Sequence, residues 1–238
     1  MNPRISSRAA ILERIRGAAH AADPIDYSAL PRDYTRTGSL SMNDCLSLLT
    51  ERLREYDAEV SECAPDDLPT AIAASIAHSG RHSIAAPAGL PAEWLAPAAK
   101  AGVQIQIDHN LSAGAIEACE GVVTAASAGV ADSGTIVLHH TPAEGRRILT
   151  LLPDWHLCVL RASQVTETLP EAFARYTEQP ALVTPALVTW ISGPSATADI
   201  EMTRIKGVHG PRFLHVLLVR DEPTSFAAST DASLEVHA

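Results

Sequence analysis

Several features that mark redox, nucleic-acid-binding and membrane proteins are scarce or missing in this sequence. Its four cysteines, Cys45, Cys63, Cys119 and Cys158, lie far apart and form no CxxC pair. That spacing argues against a zinc or iron–sulfur cluster held by this chain and suits free, buried thiols. Basic residues are in the minority, 18 Lys and Arg against 28 Asp and Glu, and the net charge of -10 would repel a polyanion, so no nucleic-acid partner is expected. No uncharged apolar run approaches the ~18 residues that a membrane span needs. The opening, MNPRISSRAAILERIRGAAH, lacks the continuous apolar stretch of a secretory signal, and the protein is read as cytoplasmic. No GxGxxG or Walker loop, no GxSxG elbow and no cysteine beside a plausible base occurs. His139 and His140 are adjacent, so on a strand they would face opposite ways, and no HxxxH pair sits on a helix. No metal and no cofactor is therefore expected to be bound by this chain.

What is present is an ordinary globular composition, with 46% hydrophobic and 19% charged residues over 238 positions. Residues 1–40 read as an amphipathic helix, with Ile11, Leu12 and Ile15 on one face, followed by an irregular arm. A second helix is signalled by Ser41 and Asp44 as a capping box and by Met42, Leu46, Leu49, Leu53 and Tyr56 at steps of four and three. Helix and strand then alternate. Leu68, Ile72 and Ile76 lie on a helix ended by Gly80, and Ser83 to Ala86 is a strand. A helix through Trp94 stops at Gly102, and Val103, Ile105 and Ile107 alternate with glutamines as a strand does. This predicts an α/β domain over 41–219 with a mixed, mostly parallel sheet flanked by helices. Ile136 to Leu138, Ile148 to Leu152 and Trp155 to Leu160 follow one another with only turns between, which predicts antiparallel pairing among them. Thr168 and Glu171 form a second capping box. Ala186 to Ile191 and Phe213 to Val219 read as strands covered on both faces, and residues 220–238 as a mobile tail.

Three polar blocks interrupt this pattern. In the first, Asp132, Ser133, Gly134 and Thr135 precede a strand and could offer N–H groups to an anion, or could simply close a tight turn. In the second, Arg146 and Arg147 precede an apolar stretch and His156 follows it. Neighbours on an extended chain face opposite ways, so at most one arginine serves a given site, where it could clamp a carboxylate. The third runs from Ser192 to Arg212 beyond an apolar strand. It alternates Ser195, Thr197, Asp199 and Glu201 with apolar residues and then frames His209 and Arg212 with Gly207, Gly210 and Pro211.

Together the ADSGT turn at 131–135, GRR through LLPDWH at 145–156, and GPSATADIE with GVHGPR at 193–212 resemble the conserved blocks of the LUD-domain family, that of lactate-utilization protein C. SRAAILERIR is similar to that family's opening helix. Ala196 departs from the pattern, standing where many relatives carry a basic residue. The resemblance implies a fold like that of the NagB, ribose-5-phosphate isomerase and CoA-transferase group. It also implies a role in oxidising L-lactate to pyruvate with partner proteins that carry the iron–sulfur clusters; it assigns no catalytic residue. On the residues themselves, Arg146 or Arg212 is the candidate carboxylate clamp, His209 or His156 the proton-transfer group, and Ser133 to Thr135 the N–H source. An alternative is a stand-alone enzyme on acyl-CoA or sugar-phosphate substrates with Glu144 or Glu201 as nucleophile. A third reading is a ligand-sensing module without catalysis.

Overall fold

The structure is a computed structural model that describes residues 7–20, 27–177, 187–198 and 204–221. The chain divides into two compact units, residues 1–34 and residues 35–238. In the first, α1 spans Ser7–His20 and carries Ile11, Leu12 and Ile15 exposed.

The second unit contains α2 (Met42–Glu55), β1 (Glu59–Cys63), α3 (Leu68–Ser79), β2 (Ser83–Pro87), α4 (Ala92–Lys100), β3 (Gln104–Asp108) and α5 (Ala113–Glu117). Next in the chain come β4 (Gly121–Ala125), β5 (Ala128–Val130), β6 (Thr135–Leu138), β7 (Trp155–Arg161), β8 (Val165–Thr166) and α6 (Leu169–Thr177). The last strands are β9 (Thr189–Ile191), β10 (Ala196–Ala198), β11 (Arg204–Lys206) and β12 (Phe213–Val219). The caps expected at Ser41, Thr168 and Gly80 are in place, whereas Asp67, expected to cap α3, makes no side-chain cap hydrogen bond. Ser41 Oγ accepts from Asp44 N–H at 3.3 Å, the Glu171 carboxylate accepts from Thr168 N–H at 2.8 Å, and Gly80 ends α3 at φ +68°.

Six strands form one sheet in the order β1-β12-β7-β4-β2-β3, every neighbouring pair parallel. Side chains alternate across it. Cys158, Leu160, Val216 and Leu218 meet Leu46, Leu49 and Leu53 of α2 together with Ile136 and Leu138 of β6. On the other face Leu157, Val159, Leu217 and Ile84 meet Ile72 and Ile76 of α3 and Leu95 of α4. Each such fully buried aliphatic side chain contributes on the order of 1.5–3 kcal/mol. The α/β architecture read from the sequence, a mostly parallel sheet flanked by helices, is the one observed.

Three local expectations need correcting. Ile148 to Leu152 is not a strand, because residues 147–150 form a short 3-10 helix in which only Leu149 and Thr150 are buried. Trp155 to Leu160 lies in a strand that is parallel to both neighbours, β4 and β12, leaving no edge for antiparallel pairing. The antiparallel pairs instead sit in a separate four-stranded sheet, β8-β5-β6-β9, where β6 runs antiparallel to β5 and β9, and in the two-stranded sheet β10-β11. In β9 Trp190 is 40% exposed, so this strand is not covered on both faces. At the far end, Arg220 N–H reaches Cys63 O at 2.9 Å and the Asp221 carboxylate accepts from Ser163. The tail expected to be mobile lies, from residue 222 on, outside the described residues.

Candidate functional site

A cavity of about 260 Å³ opens between the two larger sheets. His156 and Leu214, cross-strand neighbours at the starts of β7 and β12, line it on one side, and Thr189 and Trp190 of β9 on another. Arg147 and Thr150 come from the 3-10 helix, and the loop after β9 adds Ser192 and Ser195. His209, with Gly210 and Pro211 after it, also lines the cavity. The cavity thus lies beyond the carboxyl end of β9, where the sequence placed a ligand, and at the amino ends of two strands of the parallel sheet.

The cavity's polar groups are held by one another. Ser195 ties the loop together: its N–H donates to Pro211 O at 2.8 Å, its carbonyl accepts from Gly207 N–H at 2.9 Å, and its hydroxyl accepts from His209 N–H at 3.0 Å. Ser192 Oγ is 2.7 Å from Thr135 Oγ1, which is 2.8 Å from Ser133 Oγ, so a row of hydroxyls runs from the first polar block to the cavity. His156 is buried, with Nε2 2.8 Å from Thr124 Oγ1. Desolvation pushes its pKa down to about 4, so the ring is uncharged at neutral pH. Burial likewise pushes the neighbouring Cys158 thiol up to about 12, which leaves it protonated and inert.

Gly193 anchors the loop. It sits at φ +82°, and a Cβ there would come 2.5 Å from the Tyr56 Cβ at the end of α2. A side chain meets both a left-handed backbone penalty and a collision. Gly193→Ala is expected to lower stability by roughly 1–3 kcal/mol and to displace Ser192 and Ser195. Urea denaturation checks the first effect, and ligand titration the second.

The arginines divide. Arg146, the sequence's candidate clamp, places Nε 2.8 Å and Nη2 2.6 Å from the two oxygens of Asp108 and also donates to Leu111 O at 2.9 Å. This guanidinium is chiefly what holds the Asp108 carboxyl below its usual range. Arg212 embraces Asp154 with Nε and with Nη2, the latter at 3.0 Å, and Arg81 touches the same carboxylate. Neither lines the cavity. Arg147 does, and its Nη1 donates to Thr189 Oγ1 at 2.6 Å. Arg146 and Arg147 meet different partners, but Arg147 opens a 3-10 helix and does not lie on the extended chain from which the sequence reasoning started, and the sequence favoured Arg146.

In the first block, Ala131, Asp132 and Gly134 direct their N–H groups to Thr166 O, Glu167 O and Ala131 O respectively, which makes this segment a tight turn between β5 and β6. Gly134 sits at φ +59° against Arg52, and Asp132 and Ser133 are exposed. Thr197 pairs with Ile205 across β10 and β11. Asp199 and Glu201 lie outside the described residues. Glu144, the alternative nucleophile, is 1% exposed and has both oxygens occupied by Ser127 Oγ, His139 N–H and Thr141 N–H. Thr189 and Arg147 went unnoticed as a pair because 42 residues separate them. Among the described residues no group of three or more His, Cys, Asp or Glu is placed to hold a metal ion.

An α/β chain with this pair of sheets and these three blocks has clear relatives. The LUD domain family matches residues 42–219, and the chain belongs to it. It is 36% identical over 192 residues to lactate utilization protein C of Deinococcus radiodurans, spanning 80% of this chain and 86% of that one. It is 29% identical over 204 residues to lactate utilization protein C of Geobacillus thermodenitrificans, spanning 79% and 83%. A crystal structure of a DUF162 family protein from Deinococcus radiodurans superposes with a TM-score of 0.63 at 30% identity, covering 76% of this chain and 99% of that one. No helix among the described residues is long and apolar enough to cross a membrane.

Proposed function

We propose that this chain is a cytoplasmic component of L-lactate utilization that binds a small carboxylate and supports its oxidation to pyruvate together with iron–sulfur partner proteins. Relatives named for lactate utilization supply the pathway. The observation that carries the binding reading is the cavity itself, in which a histidine from the second polar block and a serine and a histidine from the third converge on about 260 Å³ of space. That volume is ample for a three-carbon acid. Turning lactate into pyruvate removes two electrons and two protons. The electrons go to the iron–sulfur partners; in this reading His209, which lines the exposed edge of the cavity, takes up one proton and solvent water takes the other. His156 serves as an uncharged polar wall.

Growth on L-lactate as sole carbon source tests this. A strain lacking the protein is expected to grow normally on glucose and poorly on L-lactate, with rescue by the wild type and not by His209→Ala. Normal growth on lactate would overturn the proposal.

A further inference from the structure

Arg147 stands apart from the other two arginines considered above. Arg146 and Arg212 each clasp a carboxylate, whereas Arg147 makes no ion pair with any described carboxylate, and the one hydrogen bond of its guanidinium among the described residues goes to the Thr189 hydroxyl. A charged side chain aimed at a cavity with a neutral partner keeps most of its hydrogen-bonding capacity for something else.

The contact with Thr189 belongs to a chain whose polarity is fixed. Gly145 O can only accept, so the His140 Nδ1 that lies 2.8 Å from it carries the proton. In the neutral ring Nε2 then accepts, and the group 2.7 Å away is Thr189 Oγ1, which donates its single hydrogen. That hydroxyl is left as an acceptor toward the cavity, and a guanidinium, which can only donate, completes the sequence. With the ring neutral, every member has one permitted orientation. His140 is held at φ +54° in a turn that Glu144 closes from inside through His139 N–H and Thr141 N–H. The far end of the chain is therefore rigid.

We infer that Arg147 is the carboxylate anchor of the cavity, and that Thr189 and His140 are positioning residues that aim its guanidinium. With Nη1 spent on Thr189, the edge formed by Nε and Nη2 remains for a planar carboxylate held by two parallel hydrogen bonds. The ligand class is a small monocarboxylic acid. This rests on the carboxylate reading of the cavity given above.

The test is calorimetric titration of the full-length purified protein with L-lactate, pyruvate and inorganic phosphate. Wild type is expected to bind a carboxylate in preference to phosphate. Arg147→Gln should weaken that affinity by at least about tenfold, the size of one charge-assisted hydrogen bond. Arg147→Lys keeps the charge without the fork and should also weaken it. Thr189→Val should stay folded but lose affinity, and Thr189→Ser, which keeps the hydroxyl, should restore it. Arg220→Gln, a distant surface change, should bind as wild type. Equal affinity in Arg147→Gln would overturn the anchor while leaving the lactate-growth result standing. Equal affinity in Thr189→Val would overturn the positioning role. Preference for phosphate, or binding of none of the three probes, would overturn the ligand class and the anchor together, whatever the growth phenotype.

Discussion

Between pH 7.5 and pH 4.5 the protein should lose about 3 kcal/mol of stability through His156 alone. The ring is buried and its pKa falls from the ordinary 6.5 to about 4 because burial disfavours the imidazolium. Above about pH 7.5 the ring is neutral in both folded and unfolded chains, and pH has no leverage on it. Between 6.5 and 4 the unfolded chain takes up a proton that the folded one refuses, so stability declines as pH falls, by about 1.4 kcal/mol per unit. Burial also lowers the pKa of His139 and His215, and they act in the same direction. The carboxyls held low, Asp108, Glu120 and Glu171, add their own loss only below about pH 4.5, where unfolded carboxylates protonate. Urea midpoints at half-unit steps check this. His156→Gln keeps a polar atom near Thr124 and removes the titration, so its profile should be clearly shallower than wild type. Superimposable profiles would show that His156 does not titrate as its burial requires.

The elements legible in the sequence were those whose signals are local. A capping serine, a left-handed glycine and a repeat of leucines at helical spacing act within one or two turns, and α2, α3 and α6 carry them. Edge strand β3 showed itself by its glutamines, because one side of it is wet. Strand β1, Glu-Val-Ser-Glu-Cys, gave no such signal. It is the other edge strand of the parallel sheet, and its polar residues answer to β12, 154 residues away, through the contact between Ser61 and His215. The apolar run at 148–152 looked like a strand because four or five apolar residues have no distinguishing period. Its fate depended on Leu149 filling a hole beside Ile116 and Val122.

The site was legible by block and not by role. Composition marked the polar segments, and the cavity draws on the second and third of them. Which arginine enters it was decided by Asp108, a buried carboxylate at the end of β3 that captures Arg146. Nothing near Arg146 in the chain announces that partner, 38 residues upstream. The same holds for Arg212 and Asp154, 58 residues apart. A charge's partner is a tertiary fact, and sequence spacing alone assigned it to an external ligand instead.

Glu144 is where fold and site depend on the same side chain, and its removal should have the largest structural effect. The carboxylate is almost fully buried, and its two oxygens receive the Ser127 hydroxyl and the N–H groups of His139 and Thr141. Hydrogen bonds to a charged group contribute roughly 1.5–3 kcal/mol each, and donors left without an acceptor inside the protein cost more than donors left in water. Glu144→Ala strands three donors at once and opens the turn that holds His140, so a loss of about 3–5 kcal/mol is expected, together with the aim of Arg147. Glu144→Gln separates this role from catalysis. Its carbonyl oxygen can take the two N–H groups, while its amide donates to Ser127 Oγ, whose hydroxyl turns to accept. It should therefore cost no more than about 1 kcal/mol and keep carboxylate affinity. A covalent nucleophile would behave in the opposite way, since an amide cannot attack an acyl group as a carboxylate does. Denaturation midpoints and lactate growth of the two variants decide between the roles. Severe destabilisation in the alanine variant with a functional glutamine variant assigns Glu144 to the architecture of the cavity. A stable glutamine variant with no function would return it to the chemistry.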